Sequence, residues 1–301
     1  MAIAPTGEQY TISSGPYEAV VTEVGATLRT LTLDGRDLVN GFEADEMVKG
    51  GRGQNLIPWP NRIRDGRYPF NGADQQLPLS EPARHNASHG LVRYAPWTVV
   101  ERTDEHVTSQ VRIFNQPGWP GVLEARITHQ VGPEGLEVIV SATNLGRTPL
   151  PFGYAAHPYL TVGEDTVDEV SLTVPAGTFV EVDDRLLPAG LAPVDGTDND
   201  LRDGPVIGSR NLDVAMTDLA RDDDGRWRVV MTLGDRRTEL WADETMGWVQ
   251  VFTGGPYRNW SAAVEPMTCG PDAFNPGPTH DGMRVLEPGD RYEGRWGISG
   301  R

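Results

Sequence analysis

The sequence has a single cysteine, Cys269, which rules out an intrachain disulfide and any cysteine-built metal site. Basic charge is also scarce: 26 Lys and Arg stand against 43 Asp and Glu, a formal net charge of −17. Such a surface repels phosphate backbones and anionic membranes, so nucleic acid and lipid are not expected partners. Most of the acids read as a solvated exterior. The run Arg221 to Arg226 lacks the alternating oxygen ligands and terminal Glu of an EF-hand and reads as a turn. No stretch approaches 18 apolar residues, so no membrane-spanning helix is expected. The segment MAIAPTGEQYTISSG has neither a basic n-region nor an apolar h-region, which makes the cytoplasm the expected compartment. Accordingly, Asn86-Ala87-Ser88 and Asn259-Trp260-Ser261 read as chance matches to the glycosylation pattern. The phosphate-binding and dinucleotide-binding glycine motifs are missing, as are H-E-x-x-H and the G-x-S-x-G elbow. The six histidines are dispersed, and no metal site is expected.

Turn formers are abundant, with Gly and Pro making about a fifth of the chain. Scattered without a period, they favour many short strands over long helices. Alternation supports this. Leu123, Ala125, Ile127, His129 and Val131 share one face of a strand, and the turn at 132–135 leads into Leu136, Val138, Val140 and Ala142. Trp227, Val229, Met231 and Leu233 alternate with arginines, and the stretches 170–174 and 248–253 read the same way. YEAVVTEVG and TLRTLTL read as paired strands ending at Asp34-Gly35. No apolar stripe with helical period lasts three turns, although Leu212–Leu219 is compatible with a short helical turn. Pro188 to Pro205 reads as a long surface loop. No repeat or linker divides the chain, so residues 1–301 are expected to form one all-β domain, a large antiparallel sandwich with few short helices.

Polar groups recur inside aromatic and proline-rich islands: GRGQNLIPWPNRIRDGRY (51–68), HNASHGLVR (85–93), FGYAAHPYL (152–160), NLDVAM (211–216) and AVEPMTCGPDAFN (263–275). Planar apolar faces mixed with multidentate polar groups suit a sugar. His157 precedes Pro158 and Glu265 precedes Pro266, which holds both on extended backbone. In this order the islands resemble the aldose 1-epimerase (galactose mutarotase) family, its bacterial branch in particular. The resemblance covers nearly the whole chain. It is carried by Asn61-Arg62, His89-Gly90, His157-Pro158-Tyr159, Leu212-Asp213 and Glu265-Pro266.

The resemblance implies a galactose mutarotase-like supersandwich that needs no cofactor. It implies His157 as general acid and Glu265 as general base, set across one pyranose, with Asn61, Arg62, His89 and Asp213 binding the hexose. From residue types alone the opposite assignment of acid and base is almost as defensible. Leu160 stands where many members carry Phe, and Met216 where an aromatic often follows, which is expected to soften the pocket wall. A monomer or homodimer is expected. His85, His106, His129 and His280 read as structural, and Cys269 as a small buried filler. Trp59, Tyr159 and Phe274 fit either the core or a sugar platform. Rival readings are a non-catalytic carbohydrate-binding protein, a glycoside hydrolase, and an epimerase of an anionic hexose, phosphorylated or sulfonated. The last would recruit Arg52, Arg64 or Arg93.

Overall fold

The computed structural model describes residues 3–163, 166–258 and 260–301. The breakers and alternation yield an antiparallel β-sandwich, whose described helices are four 3₁₀ segments of three residues each. A four-stranded meander, Gln9–Ser14, Tyr17–Thr22, Leu28–Leu33 and Arg36–Asp37, opens the chain. Tyr17 lies opposite Leu33, so the expected pairing up to Asp34-Gly35 is observed.

An eight-stranded sheet follows. Its spatial order is Thr98–Arg102, His106–Ile113, Leu123–Gly132, Gly135–Asn144, Arg291–Gly300, Arg236–Ala242, Trp227–Leu233 and Ser171–Thr173. The hairpin read from alternation is present, with Gly132 opposite Gly135. Leu123, Ala125, Ile127, His129 and Val131 are all buried, while Arg126 and Gln130 are exposed.

His129 is the polar exception on that inward face. Neither ring nitrogen has a partner among the described residues. Burial lowers its pKa from 6.5 to about 3. The folded state therefore refuses a proton that the unfolded chain accepts below pH 6.5, and stability is lost as pH falls from there toward 3. At pH 5 this group costs about 2 kcal/mol. Urea unfolding of His129→Leu beside the parent is expected to show a stability gap that shifts by about that amount in the variant's favour between pH 7 and pH 5. An unchanged gap would mean that His129 takes up its proton in the fold.

A second sheet has the order Pro188–Pro193, Ala176–Val182, Asp213–Leu219, Trp248–Phe252, Ala262–Met267, Ala155–Ala156 and Asn55–Leu56, with Tyr159–Leu160 also pairing to Ala262–Met267. Two expectations are corrected here. Leu212–Leu219 does not turn helically: Asp213–Leu219 is a strand between two others, because ladder pairing on both sides overrides a weak local preference. Pro188–Pro193, read as the start of a loop, is the edge strand of this sheet, the position where proline's missing N–H costs no ladder bond.

This second sheet positions the site. Its strands alternate with period two. Val214, Met216, Val249, Val251 and Val264 point into the main apolar core, which they share with Ile127, Val140 and Trp296 of the first sheet. Asp213, Gln250 and Glu265 point the other way from three adjacent strands, with Gln250 opposite Glu265 and opposite Ala215.

Some side groups resolve here as well. Trp59 and Phe274 pack edge to face, and Phe274 meets Tyr68 similarly, all three buried in the core. Cys269 is fully buried and its thiol is pushed up to about 12, the inert filler expected. Asn86 of the first glycosylation-like triplet is fully buried, whereas Asn259 of the second lies outside the described residues. No described helix is long and apolar enough to cross a membrane.

Candidate active site

The outward face of the second sheet floors a cleft of about 350 Å³. Asn61, Arg62, His89, His157, Asp213 and Glu265, drawn from five separate islands, all line it. Glu265 comes from Ala262–Met267. His157 follows Ala155–Ala156, its backbone N–H donating to the Gln54 carbonyl and its carbonyl accepting from Gly53. Asn61 and His89 both adopt positive φ, and the His89 N–H donates to the Asn61 carbonyl at 2.8 Å, tying two loops together.

At the centre, His157 Nε2 and Glu265 Oε1 lie 3.2 Å apart, with side chains 8% and 3% exposed. This differs from the expectation that acid and base face each other across a ring: they stand side by side. The imidazole is stacked on Tyr159 at 5.3 Å with an 11° interplanar angle, and His89 meets it edge on at 5.5 Å. Gly51, at φ +78°, closes the other side. A Cβ there would come within 3.0 Å of His157 Cδ2, so the close approach requires glycine.

Burial sets the electrostatics. Glu265 is raised well above the usual carboxylate range by desolvation and then by Asp213, with Arg62 and Arg93 acting against both. His157 is lowered to about 3 by desolvation, then by Arg93. His89 is lowered well below 6.5 by burial, with Arg93, His157 and Arg62 adding to it. Asp213 is raised by burial, opposed by Arg62. Burial thus disfavours the charged form of each group, which favours a proton on the Glu265 carboxyl facing His157 Nε2 over a separated ion pair. Glu265 Oε2, His157 Nδ1 and His89 Nδ1 are buried with no partner among the described residues. Unsatisfied polar atoms gathered in one place are characteristic of functional sites.

Around this pair runs a polar chain. Gln250 Nε2 donates to Asp213 Oδ1 at 2.7 Å, and Asn61 Nδ2 donates to Gln250 Oε1 at 3.2 Å. Arg62 donates to both oxygens of Glu81, at 2.8 and 3.2 Å, and through Nη1 to Asn61 Oδ1 at 3.2 Å. Gln250 was missed from sequence because no local motif marks it; its place follows from the register with Glu265.

Of the three arginines considered for an anion, only Arg93 lines the cleft. Arg52 lies over the Tyr257 ring at 4.5 Å and donates to the Gly41 carbonyl, and Arg64 pairs with Asp272 at 3.3 Å. The Arg93 side chain forms no hydrogen bond or ion pair with the described residues; it rests against Tyr94 at 5.2 Å. Leu160 and Met216 are fully buried and do not line the cleft, so neither softens its wall. Its aromatic walls are Tyr94, Tyr159 and Phe252. His85, His106, His129 and His280 do not line it either.

Comparison with known proteins gives the family. The sequence profile described as aldose 1-epimerase matches residues 8–299. The chain is 33% identical over 273 residues to the uncharacterized protein YihR of Escherichia coli K12, covering 90% of this chain and 87% of that one. It is 26% identical to the galactose mutarotase of Homo sapiens, over 96% of this chain and 92% of the other. A galactose mutarotase-like protein from Clostridium acetobutylicum superposes with a TM-score of 0.87 at 17% identity, covering 97% and 94% of the two chains. An aldose epimerase homologue from Caenorhabditis elegans superposes with a TM-score of 0.83 at 24% identity, covering 98% of each. By sequence across nearly its whole length, and by fold, the chain belongs to the aldose 1-epimerase family of isomerases.

Proposed function

We propose that the protein is a mutarotase that interconverts the α and β anomers of a free hexose, with Glu265 as base and His157 as acid. The observation that carries this reading is the buried 3.2 Å contact between Glu265 Oε1 and His157 Nε2, in a cleft that also gathers Asn61, Arg62, His89 and Asp213. O1 and O5 of a pyranose hang on the same carbon. A base for one and an acid for the other must therefore stand close together, as these two groups do.

In the forward step Glu265 takes the O1 proton while His157 gives a proton to O5. The C1–O5 bond breaks, C1=O1 forms, and the open aldehyde turns about C1–C2. Closure on the other face reverses both transfers, so the pair ends with the single proton it began with. Arg62 and Arg93 favour the Glu265 carboxylate, while Arg93 also disfavours the His157 imidazolium; the carboxylate–imidazolium form that acts in this direction is reached by moving the shared proton across the 3.2 Å contact. Arg62, His89, Asn61 and Asp213 hold hydroxyls and stabilise charge developing on oxygen.

Polarimetry of freshly dissolved α-glucose and α-galactose tests the reading. Rotation is expected to decay faster than in buffer alone. Binding with no acceleration would make the protein a carbohydrate-binding relative instead. The charge state of the pair also sets a pH dependence. Activity needs one shared proton, so kcat/KM falls only when a second proton binds, as pH drops toward the lowered His157 value of about 3, or when the shared proton leaves. A pH–rate profile is expected to show no acidic limb near 6.5. A limb there would mean that His157 titrates as an ordinary exposed histidine.

A second reading is favoured by one observation. Arg93 projects into the cleft without an ion-pair partner among the described residues. An unmatched guanidinium beside the acid–base pair suits a hexose bearing an anionic substituent, phosphate or sulfonate. Rates on neutral and anionic hexoses, measured side by side, decide between the two substrate classes.

A further inference from the structure

Arg185 lies outside the cleft, at the tip of the hairpin joining Ala176–Val182 to Pro188–Pro193. The tip is closed on itself, since Asp183 Oδ1 accepts from the backbone N–H groups of Arg185 and Leu187 at 2.8 and 3.0 Å. From there the guanidinium reaches the loop between the Asn61–Arg62 segment and His89. Its Nε donates to the Arg84 carbonyl at 3.0 Å. Its Nη2 donates to the His85 carbonyl at 2.9 Å, to Asn86 Oδ1 at 3.1 Å and to Asp65 Oδ1 at 2.8 Å.

The contact with Asn86 is returned. The fully buried Asn86 donates through Nδ2 to the Arg185 carbonyl at 3.3 Å and, at the same distance, to Glu81 Oε2. Glu81 is the carboxylate that grips Arg62 through two hydrogen bonds. A continuous series therefore runs from Arg185 to Asn86 to Glu81 to Arg62, whose Nη1 continues it to Asn61 in the cleft. Arg84 donates to Glu81 Oε1 at 3.0 Å, and the Arg84 carbonyl is one of the groups that Arg185 holds.

We infer that Arg185 is a positioning residue: it fixes Asn86 and Glu81 and so sets the direction in which Arg62 presents its guanidinium to the sugar. Resting on the mutarotase reading, this assigns the hairpin tip a role in substrate affinity. Planarity explains why arginine stands there. Held in one rigid plane, Nε and Nη2 together serve two backbone carbonyls and two side-chain oxygens, whereas an ammonium group offers a single nitrogen.

Arg185→Met is expected to raise KM roughly five- to tenfold with kcat nearly unchanged, the pattern of lost uniform binding. Arg185→Lys, which keeps the charge at Asp65, falls between the two and serves if the Met variant folds poorly. Arg202→Ala, which removes another exposed arginine from its aspartates, is the control and leaves KM as it was. The deciding measurement is a double-variant cycle. Because Arg185 acts through Arg62, adding Arg185→Met to Arg62→Ala costs nothing further. An additive loss, or an unchanged KM in the single variant, overturns the proposal.

The Arg62 Nε–H signal in a ¹⁵N NMR spectrum reports the same tie without any activity. It is expected to be sharp in the parent and broadened or shifted in Arg185→Met. Should the parent fail to accelerate mutarotation while that signal still responds, the functional reading fails and the tie stands. An unresponsive signal sinks the tie whatever the activity.

Discussion

Glu265→Gln is expected to slow anomer interconversion by roughly 10²-fold or more with the fold intact. The substitution keeps the shape and removes only the ability to accept a proton. Glu265 is 3% exposed and sits in the middle of Ala262–Met267, where strand pairing on two sides holds its backbone. Burial disfavours the charged carboxylate, so a neutral amide in its place removes a desolvation cost and introduces no uncompensated charge. The amide can still donate to His157 Nε2. Thermal stability is therefore expected to match or exceed that of the parent, while polarimetric or NMR exchange rates fall. Near-normal turnover would remove Glu265 from the role of base. A collapse of stability beside the lost rate would leave the rate uninterpretable, and for that case Glu265→Asp, which retains a displaced carboxyl, should recover part of the activity.

His157→Asn is expected to cause a loss of the same order, with KM less affected than kcat. An asparagine amide keeps a polar group near Glu265 but has no titratable nitrogen. The local backbone does not depend on the ring, because the main-chain bonds of residue 157 to Gln54 and Gly53 remain. What disappears is the stacking on Tyr159 and the edge contact with His89, about 1 kcal/mol of packing. Since the two groups share one proton and act as a unit, the double variant is expected to be hardly slower than the slower single variant. Losses that multiply would show that His157 and Glu265 contribute independently, against the shared-proton mechanism.

The strands of the first sheet were readable because one face of each meets the core and the other meets water, as in Leu123–Gly132. The second sheet was harder. Ala262–Met267 is buried along its whole length, with core on one side and the cleft on the other, so the alternation of polarity is muted. Asp213–Leu219 failed for a related reason: with Val214, Ala215 and Met216 all buried, local pattern does not separate strand from helix. Among the site residues, those within short recognisable islands were legible. Gln250, Tyr94 and Phe252 were not assigned, because no short recognisable motif contains them, and Arg93 was named only as one of three arginines that an anionic sugar would recruit.

By itself, the amino-acid sequence determined the β-rich class, through its turn formers and period-two alternation, and the inventory of groups able to move protons and hold hydroxyls. Only the tertiary structure decided that Glu265 and His157 touch, that Arg93 rather than Arg52 or Arg64 enters the cleft, and that Leu160 and Met216 face the core. The reason is physical. Composition and periodicity are local properties of the chain, whereas proton sharing and the matching of charges depend on distances between residues a hundred or more positions apart, and sheet register sets those distances.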